Sequence, residues 1–187
     1  MFKKTLLVIA WIVFCAGSVQ AVDISALVGK RISEDGKILD LTGLNIGPKG
    51  AKQLAAIPSL SSLTTLHLQG NRIRARGMKA LAKSPHLVNL KHLDLWGNML
   101  GDIGLKAIAE SPYLIHLESL KLWKNEISDD SMEFLVSSKN FSNLKTLMLN
   151  DNIITSLGAS IIAKSENFLQ LETLNLFRNE VSDDGAL

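Results

Sequence analysis

Leucines recur every 27 residues over most of the chain. Apolar and polar residues alternate around them, as in Leu66, His67 and Leu68, which predicts a short strand with leucines on one face. The second half of each interval is predicted to be a helix with apolar residues facing inward, such as Leu81 in one interval and Ile108 in the next. Strands that alternate with helices predict an α/β fold with a parallel sheet.

Several columns of residues keep this interval without a slip. Two strand columns, two residues apart, are Leu39, Leu66, Leu93, Leu120, Leu147 and Leu174, then Leu41, Leu68, Leu95, Leu122, Leu149 and Leu176. An asparagine column follows, with Leu44 in its place in the first repeat: Asn71, Asn98, Asn125, Asn152 and Asn179. A glycine column lies near each helix start, with Ser131 in the fourth repeat: Gly50, Gly77, Gly104, Gly158 and Gly185. A constant interval predicts stacked copies of one unit that share a continuous core.

The unit that contains Leu90, Leu93, Leu95, Asn98 and Leu100 resembles the leucine-rich repeat family. The resemblance is to its ribonuclease-inhibitor-like subclass, and within that to members that bacteria export. It covers residues 37–187 as six repeats, the last of them incomplete. It implies a right-handed solenoid shaped as a horseshoe arc, with parallel strands on the concave face and helices on the convex face. The fold implies little about function, because it hosts inhibitors, immune sensors, GTPase activators and bacterial virulence proteins.

Polar residues and prolines mark the turns of each repeat. We expect the asparagine column to satisfy backbone groups of neighbouring turns, which makes its role structural rather than catalytic. Pro48 is typical of a first helical turn, and the residues typical of helix N-caps are Ser128, Thr155 and Ser182. A proline column is predicted to end each helix before the next strand: Pro58, Pro85 and Pro112.

The segment 1–21 follows a different pattern. Two lysines precede an apolar run over residues 6–16, and Val19 and Ala21 form a small-residue cleavage site, which is typical of a secretory signal peptide. The run is shorter than the roughly 20 apolar residues that span a bilayer. An uncleaved anchor and a lipoprotein acylated at Cys15 are the alternatives. We expect an exported protein, periplasmic or secreted, without an integral membrane segment after cleavage.

The two ends of the array do not match a full repeat. Residues 22–36 are predicted to form an N-terminal cap over the first strand. At the other end the helix core column, which includes Leu135 and Ile162, predicts its next member at position 189, beyond the last residue. We therefore expect either a truncated chain or an apolar edge covered by another copy or a partner. This predicts a monomer or edge-to-edge self-association through the C-terminus.

Composition and charge narrow the possible functions. Of the 187 residues, 20 are Lys or Arg and 18 are Asp or Glu, so bulk charge does not favour nucleic acid as a partner. The charge is unevenly divided, because residues 22–117 carry a net charge of +5 and residues 118–187 a net charge of −5. The single cysteine lies in the predicted signal peptide. A disulfide framework and a multi-cysteine zinc site are therefore excluded in the mature chain.

The residues beside the strand leucines are predicted to face a partner. Trp96 and Trp123 occupy one column on adjacent strands, and a strand spacing of about 5 Å brings their rings into contact. Exposed tryptophans with charged neighbours are typical of the centre of a protein interface. The predicted partner-binding residues are Asp94, Trp96, Lys121, Trp123, Lys124, Met148, Phe177 and Arg178.

Two other interpretations of the tryptophan pair stay open at this point. The rings could only stiffen the sheet by cross-strand packing. They could also form a platform for a sugar ring in a carbohydrate or envelope-binding module, although few carboxylates and amides are expected around them. A GTPase-regulating role is a weaker alternative, because no loop asparagine or arginine is identified that would act on a nucleotide.

Signals of catalysis are weak. The chain has no glycine-rich phosphate loop and no helical two-histidine motif, and His67, His92 and Asp94 are more typical of solvated sheet residues than of a metal site. Basic side chains of the first three repeats form a candidate patch for an anionic ligand: Lys49, Lys52, Arg72, Arg74, Arg76, Lys79, Lys83 and Lys106. A solvated convex face is the favoured interpretation, because no aromatic residue for nucleic acid and no apolar wedge for a membrane lies among them. We predict a non-enzymatic scaffold without cofactor or metal that binds a protein partner, in the manner of a secreted virulence effector.

Overall fold

The computed structural model describes residues 22–182, and its strands form one open parallel sheet. The strands follow chain order across the sheet: β1 (Ile38–Asp40), β2 (Thr65–His67), β3 (His92–Asp94), β4 (Ser119–Lys121), β5 (Thr146–Met148) and β6 (Thr173–Asn175). Each strand pairs with the next at an offset of 27 residues, so that Leu66 lies opposite Leu39 and Leu93. The predicted α/β solenoid with a parallel sheet is confirmed.

Each turn of the solenoid returns to the sheet through a helix. The α-helices within residues 22–182 are α1 (Ile24–Arg31), α2 (Gly47–Ala55), α3 (Arg74–Ala82), α4 (Gly101–Ala109), α5 (Met132–Ser137) and α6 (Ser156–Ala163). Short 3-10 turns add to them at Pro58–Ser62, Pro85–Leu87, Asp129–Ser131 and Lys139–Phe141. No helix in this part of the chain has the length and apolar character needed to cross a bilayer.

One apolar core runs between the sheet and the helices. The strand leucines are buried from β1 to β5, and the core positions of α2 to α6 are buried beneath them: Leu54, Leu81, Ile108, Leu135 and Ile162. Before the first strand, α1 adds Ile24 and Val28 to the same core. On β6, by contrast, Leu174 is exposed, because no further strand of the described residues lies beside it.

The glycine column lets neighbouring helices approach closely. A Cβ atom placed on Gly77 would lie 2.9 Å from the Cβ of Ala51 and 3.1 Å from the Cα of Pro48, both in the preceding helix. Ser131 takes the glycine position in the fourth repeat, where it is fully buried and donates its hydroxyl to Oδ1 of Asp102 at 2.7 Å. Gly185 lies outside the described residues, as does the predicted signal peptide.

The proline column does not end the helices, so that prediction is wrong in its detail. The α-helices α2 and α3 have already ended at Ala55 and Ala82, and Pro58 and Pro85 begin the 3-10 turns that follow. Pro112 lies in an irregular bend after α4. The fixed φ of proline and its missing N–H suit the first position of such a turn, where no intrahelical donor is required.

Helix starts differ between the two halves of the array. Ser128 and Thr155 act as side-chain caps, since their hydroxyl oxygens accept from the backbone N–H groups of Asp130 and Leu157. The helices α2, α3 and α4 lack a side-chain cap. They begin instead with a residue in the left-handed backbone region: Gly47 (φ 61°), Arg74 (φ 57°) and Gly101 (φ 57°). This conformation lets each of the three donate its N–H to the asparagine carbonyl of the next repeat, at 2.8 to 3.0 Å.

Candidate functional site

The asparagine column holds the loops on which the candidate site is built. Oδ1 of Asn98 accepts from the N–H groups of Asn71 (3.1 Å) and Ile73 (3.2 Å) in the preceding repeat. Its Nδ2 donates to the carbonyls of Leu68 and Leu95, both at 2.9 Å. Oδ1 of Asn125 and of Asn152 likewise accepts from two N–H groups, whereas that of Asn71 and of the half-buried Asn179 accepts from one. All four Nδ2 atoms donate to carbonyls of the preceding repeat. Each asparagine thus satisfies backbone groups of the repeat before it. The first repeat has no repeat before it, which agrees with Leu44 in place of an asparagine. We call these five asparagines the asparagine ladder.

The tryptophans lie just after β3 and β4, in loops whose backbone is hydrogen-bonded to the asparagine ladder. Nδ2 of Asn98 also donates to the carbonyl of Trp96 (3.3 Å), and Nδ2 of Asn125 to that of Trp123 (3.1 Å). The ring centroids of Trp96 and Trp123 lie 5.3 Å apart at an interplanar angle of 33°, so the expected contact is present. The two side chains are 42% and 39% exposed, and they face away from the leucine core.

A shallow cavity of about 270 Å³ surrounds the tryptophan pair on the open face of the sheet. Its walls combine predicted and additional residues, and they are Gln69, Asp94, Trp96, Lys121, Trp123, Met148, Asn150 and Asn175. We call this group the tryptophan pocket. Asp94 accepts from the N–H of Trp96 at 3.2 Å and lies 3.7 Å from the Lys121 ammonium. The sheet thus brings together five of the eight residues predicted to bind a partner.

Amide groups are more numerous around the rings than the sequence led us to expect. The Oε1 atom of Gln69 accepts from the Thr42 hydroxyl (2.7 Å), and the Oδ1 atom of Asn175 accepts from the Phe177 N–H (2.9 Å). Within residues 22–182 the amide nitrogens of Gln69 and Asn175 form no side-chain hydrogen bond, nor does the amide of Asn150, which is only 7% exposed. The pocket therefore offers several free donors beside an aromatic surface.

The other three predicted residues lie beside the pocket rather than in its wall. Lys124 and Arg178 directly follow Trp123 and Phe177, and both lie in the left-handed region, at φ 55° and 57°. Phe177 is 69% exposed and lies 5.5 Å from the Arg178 guanidinium. Asp151 connects this rim to the pocket, because it accepts from Nε1 of Trp123 and lies 3.7 Å from Arg178.

Sequence reasoning missed Asp151, Gln69, Asn150 and Asn175 as site residues. Asp151 belongs to the loop column of Lys124 and Arg178, and its 27-residue spacing from them was the available signal. The three amide residues share the columns of Trp96, Trp123 and Met148, and their 27-residue spacing was again the available signal. What the sequence did not show was which of them keep free hydrogen-bonding groups.

The histidines on the same face form no metal site. His67, His92 and Asp94 line a second shallow cavity of about 220 Å³ with Lys121 and others, next to the tryptophan pocket. No cluster of three metal-ligating side chains is present within residues 22–182. The Nδ1 atom of His67 is buried and has no partner there, whereas His92 is exposed.

An ionic cluster lies at the opposite end of the strands. Glu118 accepts from the Lys91 ammonium at 2.9 Å and from the Lys145 ammonium at 3.1 Å, so it bridges the third and fifth repeats. These two hydrogen bonds lower the pKa of Glu118 from its ordinary value of 4.5 to about 2. The cluster joins three successive repeats and is separate from the tryptophan pocket.

Comparison with known protein families supports the fold assignment. A family model described as "Leucine Rich repeat" matches the chain at residues 59–82, 86–109, 113–136 and 171–187. These matches support a leucine-rich repeat family, whose members are generally non-enzymatic scaffolds for protein interaction. A comparison with curated proteins found no match.

Proposed function

We propose that this leucine-rich repeat chain is an exported, non-enzymatic scaffold that binds a protein partner through the open face of its sheet. The observation that carries the proposal is the contact between Trp96 and Trp123, whose large aromatic surfaces stay about 40% exposed. Exposed apolar surface is unfavourable in water, and its burial by a partner stabilises the complex. Tryptophan is also among the residues that most often dominate binding energy at protein interfaces.

The surroundings of the pair have the arrangement of an interface centre and its rim. Met148 and the tryptophans provide apolar contact, while Asp94 and Lys121 provide charges in the wall of the pocket. Lys124, Phe177 and Arg178 extend the surface along the loops. The open faces of six strands offer room for an interface of ordinary size, which buries about 800 Å² on each partner.

A capture experiment with a matched control tests this proposal. Residues 22–187 are immobilised and exposed to host-cell lysate and to bacterial envelope extract, beside the double variant Trp96→Ala/Trp123→Ala. The control is Lys139→Gln/Lys164→Gln, two exposed cations that lie away from the pocket. A partner that the control retains and the tryptophan variant loses supports the proposal. Equal capture by all three proteins would remove the open face of the sheet as the site.

The amide groups favour a second candidate function, which is binding of a neutral carbohydrate. A sugar ring stacks on an aromatic face, and its hydroxyls pair with amide groups such as those of Gln69, Asn150 and Asn175. The test is tryptophan fluorescence during titration with neutral oligosaccharides. A saturable change that Asn150→Ala reduces would favour this candidate over a protein partner.

Export is a further part of the proposal, and it rests on the sequence of residues 1–21. The charged start, the short apolar run and the small-residue site support cleavage after Ala21. We include in the proposal a bacterial origin, the ribonuclease-inhibitor-like subclass and an effector role. Mass measurement of the protein from a secreting culture checks the cleavage. A mature chain that starts at Val22 is expected, and a chain that retains residue 1 would contradict the proposal.

A further inference from the structure

The helices α2 and α3 carry a concentration of positive charge that has no internal partner. Their sequences and the loop before α3 contain seven basic residues and no acidic one: Lys49, Lys52, Arg72, Arg74, Arg76, Lys79 and Lys83. All seven side chains are exposed, and none forms an ion pair within residues 22–182. We call this group the basic face. Like charges placed so close together repel each other and lower the stability of the fold.

One of these arginines also occupies an unfavourable backbone position. Arg74 lies in the left-handed region at φ 57°, which is sterically unfavourable for an ordinary L-residue. The residues that correspond to Arg74 in the neighbouring repeats are Gly47 and Gly101, for which this conformation carries no such cost. Arg74 and Arg76 moreover lie in the first turn of α3, where the helix dipole disfavours a cation.

A groove between α3 and α4 extends the basic face toward the middle of the array. It has a volume of about 470 Å³, and Lys79, Lys83 and Lys106 surround a floor that includes Ala82 and Ala107. Glu110 also lines the groove and lies 3.7 Å from Lys106, so it offsets part of the charge. Lys79 and Lys83 remain free to pair with an anion.

The basic face has a linear arrangement across the repeats. Lys52, Lys79 and Lys106 occupy one column on α2, α3 and α4, and packed helices lie about 8 to 10 Å apart. The cations therefore form a row that crosses successive helices. Such a row fits a chain molecule with anionic groups at intervals better than it fits a single small anion.

We propose that the basic face binds a flexible, linear, sulfated or otherwise anionic polysaccharide. Several unfavourable features at one place, with no internal gain, are typical of a surface selected for binding rather than for stability. The helices α2 and α3 contain no aromatic residue on which a nucleic acid base would stack. They have no exposed large apolar side chain, and the groove beside them adds Ile103 of α4, a single side chain where a membrane-bound helix inserts a whole apolar face. This leaves recognition by charge along a polymer that can follow the surface.

Affinity for heparin, as a probe, tests the proposal on the chain of residues 22–187. We expect the variant Lys79→Gln/Lys83→Gln to lose about tenfold in affinity at moderate salt, and the slope of log affinity against log salt to fall by about 2. The matched control is Lys139→Gln/Lys164→Gln, which changes the net charge equally on the other half of the array. It should change affinity by less than about twofold.

A second variant separates binding from folding. Arg74→Gly places glycine where the neighbouring repeats have it, so we expect a more stable protein with a heparin affinity lower by about threefold. Equal losses in the two lysine pairs would overturn the proposal, because bulk charge would then explain the binding. Equal or tighter binding to single-stranded DNA or to phosphatidylglycerol vesicles would also overturn it, in favour of a nucleic acid or a membrane.

Discussion

The first three repeats and the two that follow them begin their helices by different means. In the first group the turn depends on backbone conformation, with Gly47, Arg74 and Gly101 in the left-handed region. In the second group it depends on side chains, because Asp102 accepts from the N–H and hydroxyl of Ser128, both at 2.8 Å. Asp129 accepts in the same way from Thr155. In the same 27-residue unit, the turn that leads into the helix is thus stabilised by two different sets of interactions.

The difference follows from one column of residues. The positions that correspond to Asp102 and Asp129 are Pro48 and Ala75 in the first two repeats, and neither side chain can accept a hydrogen bond. Without an acceptor for a capping hydroxyl, the chain turns through a left-handed residue instead. The comparison shows that the first group begins its helices without a side-chain cap, whereas each helix start of the second group is joined to the preceding repeat through Asp102 or Asp129.

Loss of the asparagine ladder, which both groups share, should have the largest effect. Asn98→Ala leaves the N–H groups of Asn71 and Ile73 without a partner in the core. It also removes one of the two amide donors from the carbonyls of Leu68 and Leu95. We expect the free energy of unfolding to fall by about 3 kcal/mol or more. Urea denaturation measures this, with the half-buried Asn179→Ala as the milder control. A loss below that of Asn179→Ala would mean that the ladder is not what joins the groups.

Removal of the Asp102 carboxylate tests the side-chain hydrogen bonds with which the second group begins its first helix. Asp102→Ala takes away three hydrogen bonds, including that from the buried hydroxyl of Ser131, so we expect a loss of about 2 kcal/mol. The control is Asp130→Ala, an exposed carboxylate in the next repeat, which should cost less than about 0.5 kcal/mol. If both variants unfold at the same urea concentration, the side-chain connection does not stabilise this group.

Glycine at position 74 tests the backbone-dependent helix starts of the first group, and here we expect a gain in stability. Arg74→Gly should raise the free energy of unfolding by about 1 kcal/mol, since glycine adopts φ 57° without steric cost. Arg76→Gly is the matched control, because it removes the same charge from a position with ordinary helical backbone. That variant should lose about 0.5 to 1 kcal/mol. A loss of stability in both variants would show that Arg74 contributes a favourable contact.

The smallest expected effect concerns the ionic cluster that joins the two groups. The pKa of Glu118 in the folded protein is about 2, below its ordinary value of 4.5. Its contribution is therefore present above pH 4.5 and is lost as the pH falls toward 2. Because the carboxylate is partly exposed, we expect Glu118→Gln to cost only about 0.5 kcal/mol at pH 7. The difference from the native chain should vanish near pH 2 in urea titrations, and a constant difference would exclude the ionic explanation.

Much of the fold could be predicted from the sequence because each element depends on a column that repeats. The leucine and asparagine columns predicted the strand order and the 27-residue offset. The left-handed starts at Arg74 and Gly101 could not be predicted, because they depend on the residue that a neighbouring repeat places opposite them. The 3-10 turns at Pro58 and Pro85 were missed for a related reason: proline is compatible both with the end of one helix and with the start of the next turn.

The candidate site was predictable only in part. The contact between Trp96 and Trp123 follows from strand spacing alone, since both lie in one column. The connection from Trp123 through Asp151 to Arg178 depends on side-chain orientation in adjacent loops. The free amides of Asn150 and Asn175 likewise depend on which backbone groups their neighbours already satisfy. No pattern along the sequence contains that information.

The most direct test of the proposed function measures affinity and stability on the same proteins. The partner captured by the native chain is titrated by calorimetry against the native protein, Trp96→Ala and Trp123→Ala, and each variant is also unfolded in urea. If the pair is the centre of an interface, each substitution should weaken binding by about 2 to 4 kcal/mol and reduce stability by no more than about 1 kcal/mol. Unchanged affinity together with reduced stability would contradict the proposal and leave the tryptophans the role of stiffening the sheet.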